Sequence, residues 1–260
     1  MHVISSEEIS WKSLVNESGH GQIGVYVGMP GQYHAGPQAF LVRVLDAGGR
    51  IRPHFHDIDQ FQVVVEGDGV MGRQPLSPVT AQYADAFTPY GPIVAKDKGI
   101  AFFTLRQCAS SGLFVMPGSK DKMPGRAGRN VAARFATGEI PPAGHDIVHT
   151  VLAASDDGMQ MSGLRLAAGQ SSKPMPSQGG GQYYLVCAGA LMHGSRRLPA
   201  QSLIYVDVGE DAPALQAGPE GAEAVILQFP KPSARPGSDP RLLAQRSAAD
   251  YLLPPTIRIE

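Results

Sequence analysis

The sequence predicts an all-β protein built as two copies of one sandwich or barrel unit in tandem, and three observations carry that prediction. Residues 60–106 align without a gap on residues 182–228, with ten identities at a fixed offset of 122 positions. The composition is rich in turn formers, with 31 glycines and 22 prolines in 260 residues. The apolar segments are short, β-branched or aromatic, and no 3.6-residue period is sustained inside either copy. A repeat of this length decides architecture ahead of local propensity, because each copy must be a unit able to bury its own core.

The elements follow in order. Residues 1–21 read as an N-terminal arm, and residues 22–117 as the first barrel. The repeat pairs Gln60 with Gln182, Gly67 with Gly189, Gly72 with Gly194, Tyr83 with Tyr205, Asp85 with Asp207 and Gly99 with Gly221. The flanking runs agree: Phe61–Val65 matches Tyr183–Cys187, and Ala101–Leu105 matches Glu223–Leu227. Between the copies, residues 118–145 carry Lys120, Lys122, Arg126 and Arg129 among glycines and prolines, the pattern of a solvated linker. Residues 146–229 read as the second barrel. The tail, residues 230–260, begins with Pro230, Pro232 and Pro236 and offers one amphipathic helix over residues 242–252.

Composition removes several function classes. Twenty-two basic and 23 acidic residues leave a net charge of −1, which gives no footprint for nucleic acid or anionic lipid. No apolar run approaches the ~18–20 residues of a spanning helix, so no membrane association is expected. The first fifteen residues lack a basic segment followed by an apolar one, which points to a cytoplasmic protein. Cys108 and Cys187 alone exclude a disulfide framework. Charged residues make up 17% of the chain, below the usual ~25%, and this favours a homo-oligomer, a dimer, with a buried shared surface.

The chemistry-bearing cluster is Arg52-Pro53-His54-Phe55-His56-Asp57. Two histidines two apart on a strand point to one face about 6–7 Å apart, within reach of one metal ion. Read with its surroundings, Gly48-x5-His54-x-His56-x3-Gln60-x6-Gly67 resembles the first motif of the cupin superfamily, G-x5-H-x-H-x3-4-E-x6-G. The second cupin motif is matched only by Pro89-Tyr90-Gly91; Val94 stands at the third histidine and Lys98 at the asparagine. The second repeat keeps Gly169 and the Gln182-to-Gly189 spacing but has no histidine between them. The resemblance implies a two-barrel cupin, two antiparallel jelly-roll barrels in tandem, with at most one site, in the N-terminal barrel. It also implies one divalent transition metal, Fe, Mn, Ni or Zn, held by His54, His56 and Gln60.

An amide in place of the carboxylate offers a dipole where the family offers a charge, so a metal-free site is the alternative. Inward positions Gln62, Val64, Tyr83 and Tyr90, with the His34 loop over the mouth, are the expected pocket for a small-molecule ligand. The resemblance points to an oxygenase- or isomerase-type enzyme. The alternative is a metal-free or weakly metallated protein that binds a carbohydrate or small metabolite without catalysis. Replacing His54 and His56 together is expected to change thermal stability little.

Three other patterns fail on context. Gly19-His20-Gly21-Gln22-Ile23-Gly24 spells a dinucleotide fingerprint but opens no helix and reads as a turn. His145-Asp146-Ile147-Val148-His149 lacks the glutamate of a zinc helix and reads as structural, with its second half entering a strand. Gly179-Gly180-Gly181 has no Lys-Ser or Lys-Thr after it and reads as a flexible turn.

Overall fold

The computed structural model describes residues 1–16, 19–125, 127–145, 147–243, 251 and 257–260. Two compact units divide the chain, and neither is contiguous. The N-terminal barrel comprises Ser10–Ala132 and Pro232–Glu260; the C-terminal barrel comprises Ala133–Lys231 and Met1–Ile9.

The N-terminal barrel is an antiparallel sheet. Its neighbours run Thr80–Ala84, Gln60–Met71, Ile93–Arg106, Gln38–Val44, Gly19–Val27, Trp11–Asn16 and finally Arg258–Ile259. The C-terminal barrel orders His2–Ile4, Leu203–Val206, Gln182–His193, Gln216–Gln228, Gln160–Leu166 and Val148–Ala154. The fold class is therefore as the sequence predicts, all-β with two antiparallel jelly-roll units. The 122-residue offset superposes strand on strand: Gln60–Met71 becomes Gln182–His193, and Gln38–Val44 becomes Gln160–Leu166.

Each unit has its own apolar core. Leu14, Ile23, Phe40, Val42, Val64 and Phe102 belong to the first, and Leu164, Tyr184, Val186, Leu191, Ile204 and Leu227's neighbour Ile226 belong to the second. The inward set changes phase along the long strands, from Tyr184 and Val186 to Leu191. Register shifts between Val186 and Ala188, and again between Gly189 and Leu191, are the cause, since one extra residue on a bulged strand turns the later side chains over.

Gly67 (φ 69°) and Gly189 (φ 65°) occupy the same bulge in the two copies, and a Cβ on either would lie 2.1 Å from the carbonyl oxygen of Gly99 or Gly221. The left-handed conformation and the close carbonyl both demand glycine. Gly67→Ala and Gly189→Ala should each cost about 2–3 kcal/mol, read as the change in urea midpoint.

Two expectations change. The arm expected over residues 1–21 is mostly strand: Trp11–Asn16 pairs antiparallel with Gly19–Val27, while His2–Ile4 pairs with Leu203–Tyr205 of the C-terminal barrel. The Gly19–Gly24 turn is the start of a nine-residue strand. Gly21 fits there because a Cβ would lie 2.3 Å from the Arg43 carbonyl oxygen. In the tail, Pro240–Leu243 forms one helical turn, and residues 244–250 and 252 of the expected helix lie outside the described residues. The second half of the His145–His149 pattern enters the strand Val148–Ala154 as expected, with Asp146 outside the described residues. No helix among the described residues is long and apolar enough to cross a membrane.

Candidate functional site

His54 opens the two-residue strand His54–Phe55 and exchanges backbone hydrogen bonds with Tyr90, at 3.1 and 3.0 Å. That bridge brings Tyr90 to the histidine pair: its ring centroid is 4.6 Å from that of His54, and the two imidazoles are 5.2 Å apart. His54 and His56 are 3% and 8% exposed.

Both imidazoles are held by the same ring nitrogen. His54 Nδ1–H donates to the Arg52 carbonyl at 2.7 Å, and His56 Nδ1–H donates to the Gly112 carbonyl at 2.6 Å. A carbonyl can only accept, so this fixes the tautomer and leaves Nε2 of each ring as a lone-pair acceptor. Burial pushes the His54 pKa down to about 4 and holds His56 well below its ordinary value, with the Arg106 cation pushing both in the same direction. Asp57 lies in the bend that follows this two-residue strand. It accepts hydrogen bonds from the Ser110 hydroxyl and the Ser111 amide at 2.9 and 3.1 Å, and so fixes the loop whose carbonyl holds His56.

The two rings line a cavity of about 110 Å³ with Gln62, Tyr90, Thr104 and Arg106 among its polar walls. Phe40, Val42, Phe102, Leu113, Ile257 and Ile259 supply apolar walls. Gln62 is 6% exposed, and its Oε1 is buried with no hydrogen-bond partner. Such an atom costs about 1–3 kcal/mol unless a ligand or water satisfies it.

Of the expected pocket residues, Gln62 and Tyr90 line the cavity and the others do not. Val64 is packed within the apolar core. His34 is half-buried in its loop, with Nδ1 accepting from the Gly36 amide at 3.1 Å, although the neighbouring Pro30 and Gly31 do border the cavity. Tyr83 faces the other way. It pairs across the sheet with Phe61, while Gln62 pairs with Gln82, and directly opposed residues share a face. Its hydroxyl lies 2.8 Å from Asp59 Oδ2 and 2.9 Å from Asp85 Oδ1, in a separate network closed by Arg235.

Arg106 is the site residue that motif reading misses. It is 3% exposed. Its Nε and Nη2 donate to Gln60 Oε1 at 3.2 and 3.1 Å, and its Nη1 donates to Gln38 Oε1 at 2.5 Å. Gln60 Nε2 donates in turn to the Tyr90 hydroxyl at 2.5 Å. A lone arginine closing the apolar run Ala101–Leu105 was the available signal.

These contacts test whether the residues fit the divalent metal that the cupin resemblance implies. Two Nε2 lone pairs on one cavity fit it. Gln60 does not, because both lone pairs of its Oε1 already receive N–H groups from Arg106. An ion sharing that oxygen would lie within roughly 5 Å of the guanidinium. At an effective dielectric of about 20, a divalent ion would there meet a repulsion of roughly 6–7 kcal/mol. Among the described residues no three His, Cys, Asp or Glu side chains come together as a metal-holding group. The residues present therefore do not fit a tightly held divalent ion.

The tandem antiparallel barrels are the architecture that the cupin resemblance implies. No family model matches the chain, and no curated protein does. Solved structures do. A candidate dioxygenase from Nostoc punctiforme is 12% identical, with 87% of this chain and 81% of that one covered at a TM-score of 0.58. Oxalate decarboxylase from Lactobacillus farciminis, in its formate complex, is 9% identical, with 88% and 86% covered at 0.55. The pirin YhhW from Escherichia coli, in complex with nickel(II), is 10% identical, with 88% and 99% covered at 0.55. At such identities the likeness is one of fold.

Proposed function

We propose that the N-terminal barrel is a small-molecule site that works without a resident metal. The observation that carries this reading is the Gln62 Oε1 atom, buried on the cavity wall with no protein donor. With His54 Nε2 and His56 Nε2 it makes three acceptors, while the Tyr90 hydroxyl and the Arg106 charge favour an oxygen on the ligand. The occupant is a compact hydroxylated or N–H-bearing compound, neutral or anionic. Arg106 disfavours a cation.

Binding and orientation fit the site better than proton transfer. A base whose conjugate acid has a pKa of about 4 lies some three units below neutral pH, far from the poise that general base catalysis favours. The metal-dependent oxygenase or isomerase is the second reading, supported by the paired Nε2 lone pairs.

Thermal shifts of tag-free protein, stripped with chelator, decide between them. Hydroxylated small acids and phenols should raise the melting temperature equally with and without added Mn, Fe, Ni or Zn. Quaternary amines of the same size should not raise it. A ligand shift that appears only after metal is restored, and is lost in His54→Ala/His56→Ala, would overturn the metal-free reading.

A further inference from the structure

The repeat that relates the barrels also relates their cavities. In the C-terminal barrel, an opening of about 310 Å³ is lined by His149, Gln160, Ser162, Gln178, Gln182 and Gln228, with Ile226 and Met175 as apolar surface. At the offset of 122, Gln160 stands for Gln38, Gln178 for His56, Gln182 for Gln60 and Gln228 for Arg106. The place is kept while its chemistry is exchanged: the arginine and the histidine of the first barrel become amides. No Asp, Glu, Lys or Arg among the described residues lines this cavity.

The hydrogen bonds leave a mixed set of unused groups. Gln182 is 2% exposed and spends its Nε2 on the Met175 carbonyl and the Tyr184 hydroxyl, at 2.7 and 2.6 Å. Among the described residues no donor is seen at its Oε1, and no arginine caps it as Arg106 caps Gln60. Gln160 Nε2 donates to Ser162 Oγ at 2.7 Å, which leaves Gln160 Oε1 as an acceptor and the Ser162 hydroxyl as a donor. Gln178 uses its backbone N–H on Gln228 Oε1 at 2.8 Å, so its side-chain amide remains both to donate and to accept.

We propose that the C-terminal barrel holds a second binding site, for a neutral polyhydroxylated ligand of monosaccharide size. A hydroxyl both donates and accepts, so vicinal hydroxyls match alternating amide oxygens and donors, while Ile226 and Met175 face the C–H surface of a ring. A charged ligand would find no counter-charge here and would lose its hydration on entry. The proposal is independent of the reading of the first barrel.

Saturation-transfer NMR on the full chain, with D-glucose, D-galactose, myo-inositol and sodium acetate as probes, tests it. At least one of the three polyols should show transfer from the wild type, and acetate should not displace it. Gln178→Ala, at an exposed position, should weaken that polyol at least fivefold, and Gln160→Leu/Gln178→Ala at least tenfold, with unchanged melting temperatures. His54→Ala should leave the affinity as it was. Absence of transfer from all three polyols, displacement by acetate, or loss of binding in His54→Ala instead of Gln178→Ala would overturn the proposal.

Discussion

Replacing Arg235 by methionine should cost the N-terminal barrel about 3 kcal/mol, the lower end of what breaking a buried ion pair costs. Arg235 grips Asp59 with two parallel bonds, Nη1 to Oδ1 at 2.8 Å and Nη2 to Oδ2 at 2.6 Å, and its Nη2 lies 3.2 Å from Asp85 Oδ1. The Asp59 side chain is fully buried, whereas that of Arg235 keeps 30% exposure, which is why the lower end applies. Burial pushes the Asp59 carboxyl up, and Arg235, the Ala86 amide and the Tyr83 hydroxyl all oppose that push. Without the guanidinium, a desolvated carboxylate remains beside Asp85. For a unit of this size, the melting temperature should fall by roughly 6–12 °C. Arg235→Met/Asp59→Asn should recover part of the loss, because a neutral amide replaces the stranded charge. A loss below 1 kcal/mol in the single variant, measured by urea unfolding, would mean the network is a surface feature.

The second large effect is acid destabilisation centred on the histidines. The His54 pKa is about 4 in the folded chain against an ordinary value of 6.5, so the unfolded chain takes up the proton first. Its contribution is fully present above pH 6.5 and is lost as pH falls towards 4. The difference of 2.5 units corresponds to roughly 3 kcal/mol, and His56, shifted the same way, adds to it. Asp59 acts in the opposite sense: its raised pKa makes the folded state the better proton acceptor across the carboxylate range. The imidazole contribution is therefore read as the difference between wild type and His54→Ala/His56→Ala. Urea unfolding at pH 7, 5.5 and 4 should show the difference shrinking with acid, and parallel curves would contradict the burial argument. At neutral pH the double variant should be less stable than wild type, contrary to the sequence expectation. The Arg52 and Gly112 carbonyls would lose their donors.

How much of this was legible depended on whether a feature is local or set by register. The repeat predicted the paired long strands, and the spacing of His54 and His56 predicted one shared site. Gln62 and Tyr90 followed from inward alternation. Tyr83 was misjudged because alternation within one strand does not say which parity faces inward; that is fixed by the pairing of Phe61 with Tyr83 across the sheet. Arg106 was invisible as the partner of Gln60 for a related reason. Its strand shifts register between Ala101 and Phe102, so the direction of its side chain could not be counted from the strand's start. The cavity wall from Ile257 and Ile259 comes from a chain reversal that no local pattern encodes.

That reversal bears on how the molecule is made. Arg235, Ile257 and Ile259 belong to the N-terminal barrel, yet the ribosome reaches them only after adding residues 133–231. At 5–20 residues per second, those roughly 100 residues take about 5–20 s. During that interval the first barrel has been synthesised almost entirely, but Asp59 lacks its guanidinium and the cavity lacks part of its wall. The C-terminal barrel needs only Met1–Ile9, already translated, and so has its full set of residues first. Vectorial synthesis thus completes the residue set of the second barrel ahead of that of the first, and the cavity with the buried histidines gains its last wall residues only once Ile257 and Ile259 are made.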